Sequence, residues 1–356
     1  MMGINKMKRP LSLTMRSLTP KERTYLHPNR RDVVKAISAS WTTLMLGSAA
    51  GGLAIGCDEE QTSQSIAESS AIPSLKALGQ GITCPLDLTL MPYEGEIPNL
   101  KGYAFVMGPI PSGDGAPIFN GDGALMRFGT QDGGMSVKTR RILTPCALLD
   151  DASKGTPFEY KNRALIRESS AFGVRNFLNT APVPTFDGRL LATYDAGQPW
   201  ELDPERMELT TPLGTLDQWI PMIPPFTDAQ RFQSQAMSTA HPTYDPHTRE
   251  MFSVNFAPVV PGLSTEPFFN LMWWTDDGEI KHSPLVDEQG EGCLITMSCH
   301  QMQVTAQYVI LIDSAVLVEP EQLFGQDVTR AQSAVTPIWI VSREDLKDGQ
   351  PVIAQL

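Results

Sequence analysis

Ser238-Thr239-Ala240-His241-Pro242 and Cys299-His300-Gln301-Met302-Gln303-Val304-Thr305 are the two stretches on which the reading of this chain turns. Each sets one histidine at the start of a β-type run. Pro242 has no N–H to give a ladder, so His241 belongs at a strand edge or a turn. His300 stands ahead of an apolar run that reads as one long strand over residues 304–318. A single strand histidine is most often structural. Two at strand starts can instead bring neutral imidazoles together where sheet ends meet, and neutral imidazole is a common metal ligand. They lie 59 positions apart, about one irregular blade of a propeller.

The flanking chain supports a strand-rich fold. Short β-type runs recur at 102–108, 124–129, 134–143, 189–194, 251–260, 268–274, 303–318 and 336–341. Between them stand turn signals such as Asn120-Gly121-Asp122-Gly123, Asp276-Asp277-Gly278 and Lys347-Asp348-Gly349. Long amphipathic patterns are lacking. Many short strands with Gly/Pro punctuation predict an all-β domain, a stack of sheets or a propeller, over residues 72–356. No strict internal repeat marks regular blades.

The front of the chain differs from this body. Its first 56 residues hold nine basic and two acidic side chains, yet the whole chain is at −12. The body is therefore strongly acidic, which excludes nucleic acid as a partner on electrostatic grounds. Asn29-Arg30-Arg31-Asp32 followed by a small-residue apolar stretch resembles a twin-arginine export signal. Leu53-Ala54-Ile55-Gly56-Cys57 resembles a lipoprotein cleavage box, with the Cys57 thiol as acyl acceptor. The stretch is too poor in large apolar residues for a stable transmembrane span. Residues 1–57 are thus read as signal plus lipobox and 58–71 as a polar tether. The expected location is the extracytoplasmic face of a membrane, held by a lipid anchor. Cys84, Cys146, Cys293 and Cys299 match neither a zinc spacing nor a disulfide framework.

Several body segments, in order, resemble the carotenoid cleavage oxygenases. They are Gly95-Glu96-Ile97-Pro98-Asn99-Leu100, Phe119-Asn120-Gly121-Asp122-Gly123, Asp187-Gly188-Arg189-Leu190, and Gly197-Gln198-Pro199-Trp200-Glu201-Leu202-Asp203-Pro204. The two histidine motifs follow. The resemblance implies a seven-bladed β-propeller with iron(II) (Fe²⁺) on its axis, held by four histidines. It implies O2-dependent cleavage of a conjugated C=C bond in an apolar polyene, such as a carotenoid or apocarotenoid, or in a related alkene, giving carbonyl products. His241 and His300 fall on the first two ligand positions. On this reading the chain covers about four to five blades, and the other two histidines would lie beyond it or on a completing chain. His247 and His282 fall outside the motifs.

Asp195 stands where the family usually carries the glutamate that orients the second histidine. One methylene shorter, it is expected to reach His300 only by a backbone shift or through water; its other reading is a turn residue. Tyr194 replaces the lysine with which the stilbene-cleaving branch grips a phenol oxygen, which disfavours a phenolic stilbene. Phe268-Phe269 and Trp273-Trp274 read first as packing and second as the wall of a polyene tunnel. Residues 219–226 read first as a buried loop and second as a membrane-dipping patch. The competing readings of the chain are a non-catalytic envelope lipoprotein and an inactive fragment. Replacing Arg30-Arg31 by a Lys pair should abolish export in cell fractionation, and Cys57→Ala should abolish labelling by radioactive palmitate.

Overall fold

A computed structural model describes residues 86–90, 101–110, 117–131, 134–163, 166–222, 225, 235–259, 266–314 and 331–356. The leader, Cys57, the tether, Cys84 and the 95–100 motif lie outside them.

The described residues build antiparallel meanders of four or five strands. The first has β1 (Leu86–Leu90), β2 (Gly102–Pro109), β3 (Gly123–Gln131) and β4 (Gly134–Arg141), ordered β1-β4-β3-β2. Helix α1 (Pro145–Ser153) follows, with Thr144 Oγ1 accepting the Ala147 N–H at 3.0 Å and Pro at the first turn. A small sheet of β5 (Lys161–Arg163), β6 (Ile166–Ser169) and β7 (Gly173–Val174) comes next. The second meander is β8 (Ala181–Pro184), β9 (Leu190–Thr193), β10 (Trp200–Asp203) and β11 (Glu208–Pro212). The third holds β12 (Met237–Ser238) and β13 (Thr243–Asp245), both paired with β14 (Glu250–Ala257), then β15 (Phe268–Trp274) and β16 (Lys281–Val286). The fourth is β17 (Ser298–Val304), β18 (Tyr308–Ser314), β19 (Ile338–Ser342) and β20 (Val352–Gln355). Parallel pairing of β20 with β16 joins the last two at one edge.

One edge strand of each meander touches that of the next: β2 meets β8, β8 meets β13, and β13 meets β17. Sheets meeting edge to edge in sequence order are consecutive propeller blades, and the described residues contain four of them. The expected all-β propeller architecture is present.

Strand alternation explains why the blades stack. Side chains two apart share a face. On β9, Leu190 and Ala192 join the core shared with the first blade, while Leu191 joins the core shared with the third. On β14, Phe252, Val254 and Phe256 face the fourth blade, and Met251 faces the second. Phe269 and Trp273 are buried on the fourth-blade side, Trp274 on the second-blade side, so these aromatics are packing. In the 219–226 loop, Trp219 is fully buried with its indole N–H on Leu213 O at 2.8 Å, while the adjacent Ile220 is exposed, so the loop is buried only in part among its described residues. On β19, Trp339 and Val341 are buried while Ile338 and Ile340 are exposed, so the fourth blade is packed on one face.

The expected long strand over 304–318 does not form. Thr305 breaks it: its Oγ1 accepts the Gln307 and Tyr308 N–H groups, and its own N–H reaches Tyr308 O at 2.8 Å. The hydroxyl offers the backbone a turn in place of a ladder. His300 therefore sits within the first strand of a hairpin, β17–β18. In the glycine-rich turn, a Cβ at Gly121 would lie 1.6 Å from Ile110 O, and one at Gly123 2.3 Å from Leu178 O. That close approach is why the motif needs glycine.

Arg343 ties the fourth blade to the third. Its guanidinium reaches Asp245 Oδ2 at 2.7 Å, Glu250 Oε2 at 2.5 Å, Thr248 Oγ1 at 2.8 Å and Thr305 O at 2.6 Å. Burial works against charge on Asp245, but hydrogen bonds from Arg343, the His247 amide and Thr248 outweigh it and hold the carboxyl at about 2. Arg343→Met leaves two acids without their partner and should lower stability by about 3 kcal/mol, read from the urea midpoint. Because the Asp245 pKa is depressed, its contribution is present above the ordinary carboxyl range, near pH ~4, and is lost as pH falls through about 2. In the variant, that acid loss should begin at higher pH.

Candidate metal centre

Three consecutive blades contribute to one site, and hydroxyl side chains sew them together. At the end of β9, Thr193 Oγ1 donates to Ala240 O at 2.6 Å. The turn that follows, residues 194–197, is held against β12: Ser238 N–H donates to Asp195 O at 2.8 Å, and Ser238 Oγ lies 3.0 Å from Tyr194 O and 2.9 Å from Gly197 O. Between the third and fourth blades, Thr239 Oγ1 donates to His300 O at 2.8 Å and also takes the His241 N–H at 3.2 Å. Thr243 Oγ1 donates to Met302 O at 3.2 Å, and His241 forms an isolated parallel bridge with Gln301.

The result brings His241, His300 and Asp195 together. The imidazole centroids are 4.9 Å apart with the rings at 77°, edge to face. His300 Nδ1 lies 2.7 Å from Asp195 Oδ1. The contact is direct, so the shorter acid reaches the ring without a bridging water. The turn residue and the histidine partner are the same Asp195, with Ser238 of β12 holding the 194–197 turn that carries it. Among the described residues, the His241 ring has no hydrogen-bond partner.

The two rings are tuned in opposite directions. Burial, then the nearby His300, lower the His241 pKa and keep that imidazole neutral. The hydrogen bond that His300 donates to Asp195 raises the His300 pKa against the effect of burial. With Nδ1–H donated to the carboxylate, His300 keeps Nε2 as its free lone pair. This donor set fits a metal ion that prefers imidazole. The described residues contain no cluster of three or more His, Cys, Asp or Glu side chains that could hold one alone.

The remaining candidates lie elsewhere. Cys299 is fully buried on the opposite side of its strand from His300, and burial pushes its thiol up to about 12, so it remains a protonated packing group. His247 is exposed in the β13–β14 turn. His282 is exposed beside Asp348. Tyr194 packs edge-on against Phe177, with centroids 5.2 Å apart. Residues 197–204 act structurally. Gln198 Nε2 donates to Leu213 O at 2.7 Å, and Asp203 Oδ1 caps the amides of Glu205 and Arg206. The stitching hydroxyls of Thr193, Ser238, Thr239 and Thr243 were not singled out by sequence reasoning. Ser238 and Thr239 adjoin His241, but their carbonyl partners are up to 61 positions away.

Gly197 explains how the turn approaches so closely. A Cβ there would lie 2.3 Å from the Asn176 carboxamide, whose Nδ2 holds Gln198 O at 2.9 Å. Gly197→Ala should therefore cost about 1–3 kcal/mol in chemical denaturation. It should also weaken the Asp195–His300 contact, seen as a shift of the His300 ring resonances.

The sequence profile described as retinal pigment epithelial membrane protein matches residues 82–354. Carotenoid cleavage oxygenase 1 of Neurospora crassa is 30% identical over 171 residues, covering 46% of this chain and 29% of that protein. Isoeugenol monooxygenase of Pseudomonas putida is 28% identical over 165 residues, covering 44% and 31%. The crystal structure of Pseudomonas brassicacearum lignostilbene dioxygenase superposes with a TM-score of 0.57 at 19% identity, covering 76% of this chain and 52% of that one. The matched part thus spans less than a third of those two curated relatives and about half of the solved structure.

Proposed function

This chain belongs to the retinal pigment epithelial membrane protein family, and on that premise we propose that it serves iron(II)-dependent oxidative cleavage of a conjugated C=C bond. The observation that carries the reading is the convergence of His241, His300 and Asp195 from three blades. His241 and His300 would hold the ion through ring nitrogens. Asp195 fixes the His300 tautomer so that Nε2 keeps its lone pair, and the depressed His241 pKa favours the neutral ligand form. Bound iron(II) would supply activation of O2 without a carboxylate ligand. Further imidazoles would come from an added blade packed on the open face of β18 and β19, where Tyr308, Ile338 and Ile340 are exposed.

The substrate we favour is an apolar polyene or apocarotenoid. Tyr194, packed against Phe177, offers no ammonium to a phenol oxygen. The named relatives act on different alkenes, as carotenoid, isoeugenol and lignostilbene in their names say, so the bond cleaved is the property to measure. The leader motifs support export by the twin-arginine route and lipid anchoring at Cys57, which would set the site beside a membrane that stores such substrates.

Anaerobic reconstitution followed by elemental analysis should give close to one iron per chain. Asp195→Ala should weaken binding about 10–100-fold. His241→Ala retaining full iron content would refute the ligand assignment. Chromatography of an apocarotenoid incubated with O2 should reveal two carbonyl products; a folded, iron-free chain would leave the non-catalytic lipoprotein reading.

A further inference from the structure

We infer that Asp313 is the positioning residue that sets the register of β17 and thereby aims His300 at the site. Pairing between β17 and β18 is regular from Val304↔Val309 to Gln301↔Ile312, and then jumps to Ser298↔Ser314. Three steps on β17 match two on β18. Cys299 and His300 together therefore face the single residue Asp313, which is a β-bulge.

The bulge reverses which side chains go inward. Met302 is fully buried in the core shared by the third and fourth blades, and Val304 packs on it, while Gln301 and Gln303 are exposed. Strict alternation would carry that pattern back to put His300 in the apolar core and Cys299 outside. The reverse is found. Cys299 is fully buried in that core, and the partly exposed His300 turns toward Asp195 and His241. One extra residue thus decides whether the imidazole faces the site.

Asp313 holds the extra residue in place. Its side chain is fully buried. Oδ2 accepts the Thr296 N–H at 2.9 Å and the Thr296 hydroxyl at 2.8 Å; Oδ1 accepts the N–H groups of Met297 and Ser298, both at 3.0 Å. Its own N–H donates to Pro337 O at 3.1 Å. The carboxylate therefore satisfies three successive amides, two just ahead of β17 and one at its first residue. In a slipped register these amides would be buried without acceptors, and an uncompensated carboxylate would face the core. No ligand role is assigned to Asp313; it acts through His300. The consequence for metal binding rests on the function proposed above, whereas the register claim does not.

The test uses the full chain, metal-free, with native maleimide labelling resolved by peptide mass spectrometry. In the unmodified protein Cys299 should stay unlabelled. In Asp313→Ala and Asp313→Asn it should label at least tenfold faster, while Cys146, buried in α1 outside the core that holds Cys299, stays protected. Cobalt(II) titration of the same variants should show at least tenfold weaker binding, and Asp313→Glu should recover part of it. Cys299 remaining protected in folded variants would overturn the inference. Labelling of Cys299 without any cobalt binding in the parent chain would uphold the register claim and sink the metal reading. If the variants fail to fold, hydrogen exchange in the unmodified chain decides: the Thr296, Met297 and Ser298 amides should exchange slowly, as the bonds to Asp313 require, and fast exchange would overturn the inference.

Discussion

A strand whose side chains are apolar on both faces must find cover on both, and this constraint shapes the molecule more than any single bond. In β9, Leu190 and Ala192 feed one core and Leu191 another, and in β14 Met251 feeds one core while Phe252, Val254 and Phe256 feed another, so the second and third blades each pack on a neighbour at both faces. Among the described residues, each of the three apolar cores is shared between two blades. The arrangement around a common line follows from that sharing, together with the contacts β2 to β8, β8 to β13 and β13 to β17 at the converging edges. Once those edges converge, whatever the turns and bulges carry there is gathered into one place.

Apolar stacking brings the edges near one another but is poorly directional. The hydroxyls supply direction. Thr193, Ser238, Thr239 and Thr243 each spend a side-chain O–H on a backbone carbonyl of a neighbouring blade. Such bonds fix strand offset along the axis, which apolar contacts alone would let slide. The Asp195–His300 contact accompanies Ser238 holding the turn, and the raised His300 pKa follows from that contact, whereas burial is what lowers His241. The bulge opposite Asp313 does the corresponding work within one strand, choosing which face the imidazole occupies.

Much of the fold was legible in the residues. Runs such as 251–257 and 268–274 are apolar at nearly every position, and they proved to be central strands buried on both sides. Turn glycines marked the meanders, and the two histidine motifs marked neighbouring blade edges. The run after His300 reads as one strand because its apolar pattern continues across Thr305, yet there a side-chain hydroxyl outcompetes the ladder. Side-chain length alone gives Asp195 a reach to His300 only by a backbone shift or through water; the turn held by Ser238 carries it into direct contact.

The all-β class, the family resemblance and the singling out of two strand-edge histidines were legible from local pattern: alternation, turn chemistry and the order of motifs. The direct Asp195–His300 contact, the opposite sides taken by Cys299 and His300, and the burial of Asp313 against three amides arise from tertiary packing. Those outcomes depend on partners as far as 105 positions apart. Such partners become neighbours only after the blades have stacked, and period-two alternation cannot announce the one extra residue that reverses it.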